Sequence, residues 1–168
     1  MKIFISAGHF GSDVGAENKN LKLKEHNEAV MIWQEMRVRG YQVIPLAPLS
    51  EKIKYINALS KPGDSCIEIH FNSDGGDGIE VIYHHASIEG KKMAQKFQQA
   101  LLEYLPFRDR GIKSNNELNR TIGFLSKTKI PAIIVECLFI DNDNEAKYLL
   151  YPRAHIIIAN ALGKAIIQ

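Results

Sequence analysis

The chain lacks most of what would assign it to a specialised environment. Its 168 residues include two cysteines, Cys66 and Cys137, too few for a disulfide scaffold or a cysteine-rich zinc module. No apolar run approaches the roughly 20 residues that span a bilayer, which argues against stable membrane insertion. Internal repeats, low-complexity tracts and linker-like stretches are missing as well. Neither sign of charge dominates: 21 Lys and Arg face 19 Asp and Glu, and a net charge of +2 is too mild to imply nucleic acid as a partner. Near the N-terminus, Ile3-Phe4-Ile5 gives way at once to Ser6-Ala7-Gly8-His9. That run is shorter than the roughly 7–15 apolar residues of a secretory signal, so the protein is expected to stay cytoplasmic until something releases it.

What the chain does contain is a core-building composition, 45% hydrophobic and 24% charged. At this length one domain, residues 1–168, buries roughly 70% of its unfolded surface. Short Ile- and Val-rich runs predict strands at Lys2–Ala7, Gln42–Leu46, Ser65–Phe71, Gly78–His84 and Ala132–Phe139. Helical spacing links Ala29, Ile32, Trp33 and Met36, then Ile53, Ile56 and Leu59. It returns in Met93, Phe97, Leu101 and Leu102, and in Ile156–Ile167. Ser50 and Ser87 are candidate N-caps, and Gly40 a helix stop. Strands alternating with helices predict an α/β domain. Its sheet should be twisted and mainly parallel, with about six strands and helices on both faces.

Three predicted strands run into a chemically capable side chain: His9 after the first, His70 in the Ser65–Phe71 run, and Glu136 in the Ala132–Phe139 run. In open parallel sheets, ligands gather at the carboxyl ends of the strands. A buried carboxylate such as Glu136 also needs a metal, an arginine or water as partner. Glu25 is a candidate fourth member at the start of the first helix. An acid in a first turn also serves the helix dipole, and Glu28 and His26 compete for the role. Glu68, two residues from His70, shares its face by strand alternation. It either orients an imidazole or is a salt-bridged edge residue.

These residues sit in a larger pattern. Ser6-Ala7-Gly8-His9-Phe10-Gly11-Ser12-Asp13-Val14-Gly15-Ala16 is similar to a Gly-His-Gly-Gly-x-Asp-x-Gly-Ala opening, and Lys24–Val30 to a Glu-Lys-Asp-type helix start. Glu68–Ser73, Gly78–Val81, Arg110–Lys113 and Pro131–Glu136 through Asn142 follow in order. Together they resemble the family 3 N-acetylmuramoyl-L-alanine amidases, zinc-dependent peptidoglycan hydrolases, over practically the whole chain. The resemblance implies that His9, Glu25 and His70 ligate one Zn2+ per chain and that Glu136 is the catalytic carboxylate. It implies cleavage of the bond between N-acetylmuramic acid and L-alanine in peptidoglycan by a cell-wall lytic enzyme of endolysin or autolysin type; the sequence does not fix the oligomeric state, and a monomer is the expectation. The alternative is a non-catalytic peptidoglycan-binding module of the same fold. The family usually has Asp where Ser6 stands, Gly at Phe10, Ser at Glu68 and Gly at Leu138. Both cysteines are expected to be buried thiols, because Cys137 points away from Glu136 and no local base activates it. The glycine spacing after the first strand fits no phosphate-binding loop. His84-His85 is expected at an exposed strand end.

Overall fold

The apolar runs form a five-stranded sheet in the computed structural model, which describes residues 1–167. The strands are β1 (Ile3–Ala7), β4 (Ser65–Asn72), β7 (Ala132–Phe139), β5 (Ile79–Tyr83) and β6 (Asp109–Ser114), in that spatial order. Three of the four ladders are parallel; β5 runs antiparallel to β7. A two-stranded ribbon of β2 (Glu17–Asn18) and β3 (Leu23–Lys24) occupies the polar segment before the first helix.

The count of five rather than six has a local cause. Gln42–Leu46 makes a single parallel bridge, Ile5 to Val43, with Ile5 N donating to Gln42 O and Ile44 N to Ile5 O. Pro45 and Pro48 then remove the donors a sixth strand would need. Conversely, β6 escapes sequence patterning because Asp109–Ser114 is a charged, half-buried edge strand.

Helices cover the two faces unequally. One face carries α1 (Glu25–Val38), α3 (Ile88–Tyr104) and α6 (Ala154–Ile167), packed on Ile5, Ile67, Ile69, Val81, Ile133 and Val135. Within α1, Ala29, Ile32, Trp33 and Met36 are buried at helical spacing. Glu25 and Glu28 sit in its first turn, and Gly40 (φ 81°) ends it in the left-handed region. Ser87 Oγ caps α3 by accepting from Gly90 N, as expected. Ser50 is not a cap: α2 (Leu49–Leu59) starts one residue earlier, after Pro48, whose fixed φ suits that position.

The opposite face carries α2 and α4 (Gly123–Lys127), over a smaller cluster of Phe4, Ile44, Ile56, Cys66, Ile82, Phe124, Ala132 and Ile134. These two elements cover only part of the face. Alternation continues Phe4 to Ser6, Cys66 to Glu68 and His70, Ile134 to Glu136, and Ile82 back to Glu80. The uncovered end of that face is therefore polar. A short α5 (Asp143–Ala146) follows β7, and Glu145 there accepts from Gly78 N (2.6 Å) and Phe139 N (2.8 Å), tying the loop before β5 to the end of β7.

Phe124 is the large side chain that α4 contributes to the smaller cluster. Phe124→Ala is expected to lower the unfolding free energy by about 3–5 kcal/mol in a urea titration.

Candidate metal centre

His9 follows β1 across a sharp turn. Its backbone is left-handed (φ 57°), and Gly8 N donates to Ile69 O (2.8 Å), which holds the turn against β4. The turn passes so close to His70 that a Cβ on Gly8 would lie 2.6 Å from the ring's Cε1, so glycine is required there. Gly15 has the same constraint, with positive φ and a would-be Cβ on Glu25 Oε2 and the His9 ring. His70 projects from β4, where its register partner on β7 is Glu136, and Glu136 in turn faces Glu80 on β5. One row across three strands thus carries an imidazole and two carboxylates.

Glu25 enters from the first turn of α1, 4% exposed. Its Oε1 meets His70 Nδ1 at 2.7 Å and accepts from Phe71 N; its Oε2 meets His9 Nε2 at 3.1 Å and accepts from Ala16 N. Burial alone would raise this carboxyl, but the two imidazoles outweigh it and hold it far below its ordinary range. The other nitrogen of each ring is held too. Asp13 Oδ1 lies 3.0 Å from His9 Nδ1, and Glu68 Oε2 lies 3.0 Å from His70 Nε2. Burial opposes a charged His70, yet Glu25 and Glu68 raise it well above its ordinary value.

This is the arrangement a bound cation needs. Donor atoms of His9, Glu25 and His70 lie within 4.8 Å of one another, a span that one divalent ion can bridge. Two imidazoles and a carboxylate are a donor set suited to zinc, and carboxylates behind both imidazoles fix which nitrogen faces the ion. The two competing residues are engaged elsewhere. His26 Nδ1 lies 2.8 Å from Gly8 O, and Glu28 forms a buried pair with His155 Nε2 (2.7 Å) of α6.

Glu136 stands beside this group, 8% exposed, and its Oε2 has no hydrogen-bond partner among the described residues. Burial pushes its pKa up to about 7; the charges of Glu25 and Glu80 add to that, and His70 works against it. Glu80 is pinned by Asn72 Nδ2 (2.6 Å) and Arg110 Nε (2.9 Å), while Arg110 stacks on Phe139. His9, Glu25, His70 and Glu136 border a cleft of about 550 Å³ that also reaches Phe10, Leu49, Arg120 and Ile122.

Sequence reasoning missed Asp13, Lys52 and Glu80 as parts of the site. Lys52 left a signal, since it shares the apolar stripe of α2 with Ile53 and Ile56, and all three are buried. Glu68 does both things considered for it, orienting His70 and pairing with Lys52 (3.1 Å), and it does so deep in the sheet. Cys66 and Cys137 are buried free thiols; burial raises Cys66 to about 12 and Cys137 further still. His84 and His85 stack on each other just past β5, away from the metal-ligand group.

Glu136 ionises at a cost to folding. A carboxyl whose folded pKa lies above its ordinary 4.5 adds no cost below that value. Between 4.5 and about 7 the cost grows, reaching roughly 3 kcal/mol above that window. Metal-free Glu136→Gln is therefore expected to be more stable than metal-free wild type at pH 8. The gap should close by pH 4.5, which urea titrations at the two pH values measure.

The model of a known family, described as N-acetylmuramoyl-L-alanine amidase, matches residues 3–168. The amidase CwlM of Bacillus licheniformis is 32% identical over 158 residues, 89% of this chain and 60% of that protein. An endolysin of Bacillus phage SPP1 is 27% identical over 88% of this chain and 58% of its own length. This chain thus spans about three-fifths of these curated relatives. Among solved structures, an N-acetylmuramoyl-L-alanine amidase from Clostridium difficile 630 superimposes with a TM-score of 0.87. It is 24% identical, with 99% of this chain and 94% of that one covered. With the family model matching nearly every residue, the chain belongs to the N-acetylmuramoyl-L-alanine amidase family.

Proposed function

We propose that residues 1–168 form a single catalytic domain that hydrolyses the amide bond between the lactyl group of N-acetylmuramic acid and the L-alanine of the peptidoglycan stem peptide. In this reading His9, Glu25 and His70 hold one zinc ion and Glu136 is the catalytic carboxylate. One observation carries it: a buried carboxylate oxygen without a partner, Glu136 Oε2, stands beside three side chains spaced to share a cation. The names of the relatives, an amidase and a phage endolysin, support the bacterial wall as the place of action.

Zinc, when bound, would supply Lewis-acid polarisation of the amide carbonyl and of the attacking water. The chain supplies the rest. Glu136 Oε2 takes a proton from water as its oxygen bonds to the carbonyl carbon. It returns that proton to the nitrogen as the C–N bond breaks, so the L-alanine leaves as an amine and the carboxylate is regenerated. In the metal-free protein burial raises the Glu136 carboxyl, the direction that makes a carboxylate a stronger base. Asp13 and Glu68 keep both imidazoles aimed at the group's centre.

Mass spectrometry of purified peptidoglycan after incubation with zinc-loaded protein tests this, with a chelated control. Stem peptides bearing a free L-alanine amine are expected, and none after chelation. Glu136→Ala should retain zinc while turnover falls about 10²–10⁴-fold, and His70→Ala should lose zinc. Glycan or cross-link cuts would mean a different bond, and an active Glu136→Ala enzyme would overturn the mechanism. Absence of product with zinc and wall binding retained would leave a binding module.

A further inference from the structure

Lys52 is the one lysine among the described residues that is fully buried, 2% exposed, and it reaches the site from α2 on the covered part of the sheet face. Its ammonium has three acceptors: Ala7 O at 2.5 Å, His9 O at 3.2 Å and Glu68 Oε1 at 3.1 Å. An ammonium has three N–H donors, so the complement is filled. The same Glu68 oxygen accepts from Ser6 Oγ (3.0 Å), while its other oxygen faces His70 Nε2.

Each of these contacts acts on a different histidine. The carbonyls of Ala7 and His9 bracket the turn that holds His9 left-handed, a conformation unfavourable for a residue with a Cβ. Carbonyl oxygens brought to one point repel unless a donor sits between them, and the Lys52 ammonium is that donor. Glu68 is a buried carboxylate beside an imidazole, and without a counter-charge it would be expensive to keep ionised there. Lys52 supplies that charge and fixes which oxygen is left for His70.

We propose that Lys52 is a positioning residue that braces both metal-ligating histidines at once, His9 through its backbone carbonyls and His70 through Glu68. The metal-ligand role of the histidines rests on the function proposed above; the brace itself is a property of the polypeptide and can be read without metal. Ser6 completes it on the β1 side, where Ser6 and Glu68 are register partners in the parallel ladder. Among the described residues Lys52 is the one lysine or arginine paired with Glu68, and His70 is its other basic neighbour.

The test is Lys52→Met, which keeps the stem and removes the donors. Long-range ¹H–¹⁵N spectra of the metal-free protein report imidazole protonation and environment ring by ring. In the variant the rings of His9 and His70 are both expected to shift, with His155, held by Glu28 and out of contact with Lys52, unchanged. Zinc affinity by chelator competition should fall about 10–100-fold. Should the stranded Glu68 charge prevent folding, Lys52→Met with Glu68→Gln removes both charges. It is then compared with Glu68→Gln alone, which keeps Lys52 on the two carbonyls. The double variant should show a further shift at His9 and a further loss of zinc affinity. Movement of the His70 ring alone, or a double variant indistinguishable from Glu68→Gln, overturns the brace on His9. Unchanged rings and affinity in Lys52→Met overturn it altogether. If wild type itself holds no zinc, the metal reading fails, and the metal-free spectra still decide the brace.

Discussion

The site depends on a buried carboxylate that must stay ionised. Glu25 is out of water, and four donors make that tolerable: two imidazoles and the backbone N–H groups of Ala16 and Phe71. Those four come from the turn after β1, the loop before the ribbon, and β4. Satisfying one side chain therefore requires three separate stretches of chain to meet within hydrogen-bond distance. The glycines at 8 and 15 follow from this, since the backbone is pressed against His70 and Glu25 with no room for a Cβ.

A second constraint is the unequal cover of the sheet. Three long helices seal one face, and the strand positions facing them are mostly apolar. On the other face α2 and α4 stop short, and the same strands change from Phe4, Cys66 and Ile134 to Ser6, Glu68, His70 and Glu136 within one or two pleats. The antiparallel course of β5 matters here. It brings Glu80, near the start of its strand, level with Glu136, near the end of β7.

Much of this was legible in the residues. His9, His70 and Glu136 were marked by apolar strands running into polar side chains, and alternation put Glu68 with His70 and Cys137 away from Glu136. Glu25 was not separable from Glu28 by pattern, because both are first-turn acids. What separates them is His155, 127 residues from Glu28 in sequence, which reaches Glu28 from α6. Lys52 and Glu80 act through contacts between elements that no local period encodes. Gln42–Leu46 had the composition of a strand but lay between a helix stop and two prolines. Asp109–Ser114 had the composition of a loop but found a free strand edge.

Ser6 and Glu68, two departures from the family's usual residues, turn out to be one feature, for they touch each other across the β1–β4 ladder. The pattern the sequence resembles has its acid at position 6 and its hydroxyl at position 68; here the two are exchanged, and the site still has one carboxylate at this point. Neither half of such an exchange is neutral by itself. Aspartate at position 6 opposite Glu68 would set two buried anions against one ammonium, and serine at position 68 opposite Ser6 would leave Lys52 with no anion at all. The two positions are therefore coupled: exchanging both together keeps one carboxylate against Lys52, and changing either alone does not.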